Sequence, residues 1–200
     1  LPDGEIYIGK VLYGYHGVMP YAATIAVREG TECIAPYALR NCSTLKEVTI
    51  PVSVTTIGRG AFENCKGLST VTLPKGITNI DSRAFVGCTA LRSLVWNIPS
   101  YGDKFPLTNL RSQLTSFILG DDVERVPDAF FVGMSRLTTL TVGTRVQFFP
   151  SSALQTCSAL KTIRWNAEGY IAAADDAAPF AEVAPQITSF TMADSLCVIP

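Results

Sequence analysis

The feature that most constrains this chain is an internal period of 23 residues. Leu45 to Leu68 reads LKEVTIPVSVTTIGRGAFENCKGL, and Leu68 to Leu91 reads LSTVTLPKGITNIDSRAFVGCTAL. Ala22 to Leu45, Leu114 to Leu137 and Leu137 to Leu160 obey the same frame. A fixed period of this length marks a stack of supersecondary units, each one turn of chain. Equivalent residues then form columns: Ile25, Val48, Val71, Leu94, Phe117, Leu140, Ile163; Val27, Ile50, Leu73, Trp96, Leu119, Val142, Trp165; Ile34, Ile57, Ile80, Val126, Phe149; and Leu39, Phe62, Phe85, Phe131, Leu154. Each apolar side chain contributes roughly 1.5–3 kcal/mol when fully buried. No turn buries its own set alone, so neighbouring turns must supply the walls.

Within a turn, Leu45-x-x-Val48-x-Ile50 alternates as a short strand does, and Pro51 and Pro74 end it. Strands of successive turns are expected to pair in parallel, about 4.8 Å apart. Ala61, Phe62 and Cys65 fall at helical spacing, which predicts one turn of helix or 3₁₀ on the opposite wall. The expected fold is therefore an α/β repeat solenoid: a parallel sheet on one face and short helical turns or irregular segments on the other. Residues 1–21 lie outside the frame. Ile6 to Tyr13, with a Gly9-Lys10 turn, predicts a β-hairpin that caps a single repeat domain over 22–200. Two turns depart alike, at Trp96-Asn97 and Trp165-Asn166, each followed by a tyrosine, Tyr101 and Tyr170. Ile199-Pro200 matches Val126-Pro127 in mid-turn, so the last repeat is expected to be incomplete or the chain a piece of a longer array.

Bulk chemistry narrows the function classes. The net charge of −1 over 200 residues gives no basic surplus for nucleic acid. No apolar run is long enough for a transmembrane helix, and no signal segment is visible. Cys42, Cys65, Cys88 and Cys157 share one column with Met134, which cannot form a disulfide. That column reads as packing sulfur rather than bridges or zinc ligands. Cys33 and Cys197 lie outside it. His16 is the only histidine, without a nucleophile and carboxylate at hand for a catalytic set. Asp121-Asp122 and Asp175-Asp176 read as solvated loop pairs, with no calcium-binding string around them. No cofactor or metal is expected.

The pattern Leu-x-x-Val-x-Ile-Pro, then Val-x-x-Ile-Gly, then Ala-Phe-x-x-Cys-x-x-Leu, at 23-residue steps, resembles the BspA-type leucine-rich repeat. Ile6-Tyr7-Ile8…Val11-Leu12-Tyr13-Gly14 resembles the segment that often precedes such arrays. The resemblance implies a secreted or cell-surface bacterial protein of the kind found in gut and oral Bacteroides-like bacteria, with adhesion to host matrix proteins as one function in the family. In the general leucine-rich pattern an Asn or Cys stands nine residues into the repeat. Here Ser53, Gly76 and Asp122 stand there, so the usual asparagine ladder is expected to be missing.

The outward columns of the strands carry the functional reading. They run Thr24, Glu47, Thr70, Ser93, Ser116, Thr139, Thr162, Ser189 and Ala26, Thr49, Thr72, Val95, Ile118, Thr141, Arg164, Thr191. Glu47 is the only acid among them, whereas a polysaccharide-cleaving solenoid would need two poised carboxylates. Hydroxyls suit a soluble strand surface. Val95, Ile118 and Arg164 break that pattern, and a partner is expected to dock there, flanked by Tyr101 and Tyr170. The expectation is a non-catalytic protein-binding or adhesion module whose ligand is a protein or a glycan. The alternatives are a structural spacer for another domain and a carbohydrate-active solenoid.

Overall fold

The computed structural model describes residues 2–102, 105–168, 180 and 182–193. The chain is a parallel-sheet β-solenoid of about seven turns. It divides into two compact units: Leu1–Leu94 with Pro106–Leu110, and Val95–Phe105 with Arg111–Pro200.

The first unit opens with an antiparallel hairpin, β1 (Gly4–Ile8) and β2 (Val11–His16), joined at Gly9-Lys10 as the sequence predicts. Three turns follow. Each carries a longer strand and a two-residue strand: β3 (Ala23–Ala26) with β4 (Cys33–Ile34), β5 (Leu45–Thr49) with β6 (Thr56–Ile57), and β7 (Thr70–Leu73) with β8 (Asn79–Ile80). The long strands pair in parallel, Val48 beside both Ile25 and Val71. The short strands make a second ladder in the order β1-β2-β4-β6-β8. The hairpin enters that ladder through Leu12, which pairs with Ile34 and is fully buried.

The division between the units falls inside β9 (Ser93–Trp96). The second unit continues with β10 (Ser116–Leu119), β11 (Thr139–Val142), β12 (Thr162–Trp165) and β13 (Ser189–Met192). Leu140 lies between Phe117 and Ile163, and Phe190 follows Ile163. Gly120 N–H donates to Trp96 O, so the end of β9 runs beside the end of β10. Among the described residues of this unit, an isolated bridge of Arg125 with Phe148 takes the place in the repeat that the short strands hold in the first unit.

The columns drawn from the 23-residue frame are the core. Ile25, Val48, Val71 and Leu94 are buried in the first unit, as are Phe117, Leu140 and Ile163 in the second. Phe62 and Phe85 lie face to face, centroids 4.9 Å apart and planes within 2°. The Trp96 turn departs from the frame because aromatic rings replace its missing regular residues. Phe105, from the irregular loop, packs at 5.7 Å from Trp96 and 5.9 Å from Phe117, and Phe130 closes the group at 5.3 Å from both Trp96 and Phe105. The buried Trp96 indole N–H is satisfied by Ile98 O at 3.2 Å.

The α/β expectation fails on the wall opposite the long strands. No α-helix occurs among the described residues; that wall is built of turns, with 3₁₀ segments at Thr108–Leu110, Ser151–Leu154 and Ala184–Gln186. Hydrogen bonding explains the difference. An α-helix spends each N–H on the carbonyl four residues back. Here Ala61 and Cys65 donate three residues back, to Gly58 and Phe62, while Phe62 and Asn64 donate to Ala84 and Val86 of the following turn. Leu39 and Asn41 do the same towards Ala61 and Glu63. In these two turns every second donor is committed to the stack, so a helix has none left to propagate. In the later turns, bonds such as Val132 to Ala129 and Met134 to Phe131 close tight three-residue turns.

The missing asparagine ladder has a counterpart on this wall. Asn41 and Asn64 adopt left-handed backbone, φ 63° and 60°, and Gly87 continues the column at 77°. Asn64 Nδ2 donates to Asn41 Oδ1 at 3.1 Å. Asparagine tolerates this region better than most residues, so the ladder sits at a turn that needs it rather than nine residues into the repeat.

Candidate functional site

The outward columns are where the sequence frame puts them. Ile118, Thr141, Arg164 and Thr191 stand side by side on β10 to β13. Val95 occupies the same step of β9, between the buried Leu94 and Trp96. Val95 and Ile118 are half-buried and Arg164 is exposed. Thr141 separates Ile118 from Arg164, so Ile118 and the charge are about two strand spacings, roughly 9.6 Å, apart, and Val95 is one strand farther. Aliphatic side chains beside a guanidinium at that distance can receive one extended or loop segment of a partner.

Tyr101 does not join this face. Its ring packs edge-on against Trp96, centroids 5.6 Å apart. Trp96 points to the core and Val95 away from it, since successive side chains of a strand face opposite ways. Tyr101 therefore lies on the other side of the sheet from Val95. There it lines a hollow of about 430 Å³ with Ser100, Gly102, Arg125, Pro127, Asp128 and Ala129. The Arg125 guanidinium covers the Phe148 ring at 4.1 Å. Sequence reasoning missed Arg125 and Asp128 because their turn was read only for its apolar column. Tyr170, Asp175-Asp176, Cys197 and Ile199-Pro200 lie outside the described residues.

Sulfur fills the column assigned to it. Cys65, Cys88, Met134 and Cys157 are buried, and Cys42 is half-buried. The five described cysteines are free thiols, Cys33 included. Three of the thiols donate to the preceding turn: Cys65 to Leu39 O at 3.1 Å, Cys88 to Phe62 O at 3.1 Å and Cys157 to Phe131 O at 3.8 Å. The acceptor always lies 26 residues back, so cysteine both fills space and ties turns together. Burial pushes the Cys42 thiol up to about 11, and Cys88 and Cys157 up to about 12. Burial raises Cys65 as well. A thiol held protonated is a poor nucleophile and a poor metal ligand.

The remaining chemical candidates are occupied structurally. Asp121 Oδ1 accepts the Thr144 N–H at 2.9 Å and its hydroxyl at 3.1 Å, a bond between turns. Arg145 pairs with Glu124 and, at 3.9 Å, with Asp122. His16 Nδ1 stands 4.0 Å from Asp3 Oδ1 at an exposed position. Among the described residues, no three His, Cys, Asp or Glu side chains are grouped to hold a metal ion. No described helix is long and apolar enough to cross a membrane.

A stack of strand-and-turn repeats with buried aliphatic columns and an outward hydroxyl face defines a leucine-rich-repeat protein. The chain belongs to the BspA type leucine-rich repeat family, whose repeat region matches in six copies over residues 21–105 and 104–196. Repeats of this kind generally serve as protein-interaction scaffolds. Among solved structures, the chain is similar to a leucine-rich repeat protein from Bacteroides ovatus, with 19% identity, a TM-score of 0.39, and coverage of 86% of this chain and 43% of that one. A T. pallidum leucine-rich repeat protein matches at 18% identity and a TM-score of 0.42, covering 90% and 73%. A leucine-rich cell surface protein from Faecalibacterium prausnitzii matches at 16% and 0.37, covering 85% and 59%. The chain thus spans less than half the length of the Bacteroides ovatus protein. No curated protein matches it.

Proposed function

We propose that this chain is a non-catalytic binding module of a secreted or surface-exposed bacterial protein, and that a protein partner docks on the outward strand face at Val95, Ile118 and Arg164. Residues 1–21 serve as the cap of one repeat domain over 22–200, a role supported by the pairing and burial of Leu12. The observation that carries the docking reading is the break in the outward column. Hydroxyl or polar residues occupy most of it, while Val95 and Ile118 present aliphatic carbon on the solvent side of their strands. Desolvating such carbon favours association, and a nearby arginine supplies directional donors. The single acid on the outward columns, Glu47, supports a non-catalytic role, since acid–base hydrolysis needs a pair.

The test is capture from an array of extracellular-matrix proteins and glycans by the intact chain and by a V95T/I118T/R164Q variant. Saturable capture of a protein that the variant loses, with its melting curve retained, supports the reading. Capture unchanged in the variant, or a glycan as the only ligand, overturns it. Absence of any saturable capture favours the spacer alternative.

A further inference from the structure

The wall opposite the long strands carries a cationic hollow in the first unit. About 300 Å³ in volume, it is lined by Tyr37, Arg40, Arg59, Glu63, Arg83 and Val86. The 23-residue frame explains how these residues meet. Tyr37, Gly60 and Arg83 occupy one column, and Arg40, Glu63 and Val86 another. Glycine in the middle of the first column opens the space: a Cβ on Gly60 would come within 2.6 Å of the Tyr37 ring and 2.9 Å of Glu63 Oε2. Tyr37 itself has φ 61°, an unfavourable region for a bulky residue. Asparagine or glycine would stand there without strain, as Asn41 does nearby and Gly60 does one turn on. Strain held at an exposed aromatic points to use rather than to packing.

The charges do not balance. Arg40 pairs with Glu63 at 3.2 Å and lies over the Tyr37 ring at 5.3 Å. The side chains of Arg59 and Arg83 neither hydrogen-bond nor ion-pair with a described residue. Two exposed guanidinium groups on consecutive turns thus share one hollow with a single, already paired acid. Guanidinium is the side chain best shaped to bind a carboxylate through two parallel hydrogen bonds.

We propose that Tyr37, Arg59 and Arg83 form a binding site for an acidic peptide segment, with Arg59 and Arg83 each holding a carboxylate and Arg40 fixed as the wall by Glu63. Alternate side chains of an extended peptide recur about every 6.8 Å, which two arginines rooted on neighbouring turns can span. A sugar fits less well. Stacking on a ring needs an open face, and Arg40 already covers one face of Tyr37 while the Gly60 turn crowds the ring edge. The site is independent of the strand face around Val95 and Ile118, so the failure of either reading leaves the other standing.

The experiment is fluorescence anisotropy with the intact chain, using a fluorescein-labelled hexaglutamate peptide, a hexaglutamine peptide and a heparin-derived tetrasaccharide as probes. The test variant is R59Q/R83Q. The control is K66Q/R136Q, which removes the same charge from exposed positions elsewhere. The expected result is saturable binding of hexaglutamate alone, weakened as salt rises. R59Q/R83Q reduces the affinity at least about tenfold, and the control changes it less than about twofold. Equal losses in the two variants would reduce the site to diffuse charge and overturn the proposal. So would retention of affinity in R59Q/R83Q, binding of the tetrasaccharide without the peptide, or no saturable peptide binding.

Discussion

Replacing Phe62 and Phe85 by leucine, singly and together, probes the contact between adjacent turns. Both side chains are completely buried, and their rings are parallel at 4.9 Å. Leucine keeps most of the space filled, so each single change costs about 1–3 kcal/mol. Stacked aromatic pairs contribute about 0.5–1.5 kcal/mol beyond the area they bury. That increment is lost with the first ring and cannot be lost twice. The double variant is therefore destabilised by about 0.5–1.5 kcal/mol less than the sum of the singles. The comparison pair is Leu39→Val with Phe85→Leu. These residues share the column but are two turns apart, with Phe62 between them, and their effects add to within about 0.5 kcal/mol. Urea unfolding followed by far-UV circular dichroism measures all the variants. Equal coupling in both pairs, or none between Phe62 and Phe85, would refute the argument that turns interact chiefly with their immediate neighbours.

Two further outcomes follow from close approach and from burial. A methyl group at Gly76 would meet Val52 O at 2.0 Å and Val54 O at 3.1 Å, both backbone atoms of the preceding turn. Gly76→Ala lowers stability by about 3 kcal/mol or more in urea titration, while Gly14→Ala, whose Cβ finds Ala38 O at a comfortable 3.7 Å, changes it little. Cys65, Cys88 and Cys157 resist iodoacetamide at pH 8 in the folded protein and react once it is denatured, whereas half-buried Cys33 reacts in the native state; peptide mass mapping reads both. The folded thiols of Cys88 and Cys157 titrate near 12, above their ordinary 9.0. Their contribution to stability is thus complete below about pH 9 and is lost as pH rises towards 12. Cys157→Ala flattens the alkaline limb of a stability-against-pH curve, and an unchanged limb would contradict the assignment.

The interior was legible in the sequence because a strict period fixes which residues must share an environment. Phe62 and Phe85 could be paired from their spacing alone, and Met134 among the cysteines already argued for packing. The opposite wall was less legible. Ala61, Phe62 and Cys65 have helical spacing, yet nothing in that spacing reveals that Phe62 and Asn64 give their N–H groups to the next turn. The asparagines at 41 and 64 are not marked by the leucine-rich pattern, which places its ladder nine residues into the repeat. Tyr101 is expected from the sequence to flank the strand face from its loop after β9, whereas its ring packs on Trp96, and loop geometry of that kind leaves no periodic signal. The Arg59 and Arg83 hollow lies within reach of the same frame, since Tyr37, Gly60 and Arg83 are spaced by 23, but its residues lie on the turn wall and not on the strand columns.

The central claim is that residues 23 apart lie side by side on parallel strands. Backbone nuclear Overhauser effects in the deuterated, amide-protonated chain test it most directly. The predicted result is inter-strand contacts linking Glu47 to Thr70, Ser116 to Thr139 and Thr141 to Arg164, with residue numbers rising together along each pair of strands. Contacts whose numbers run in opposite directions, or that link these three strand pairs at another separation, would contradict the solenoid and the surfaces read from it.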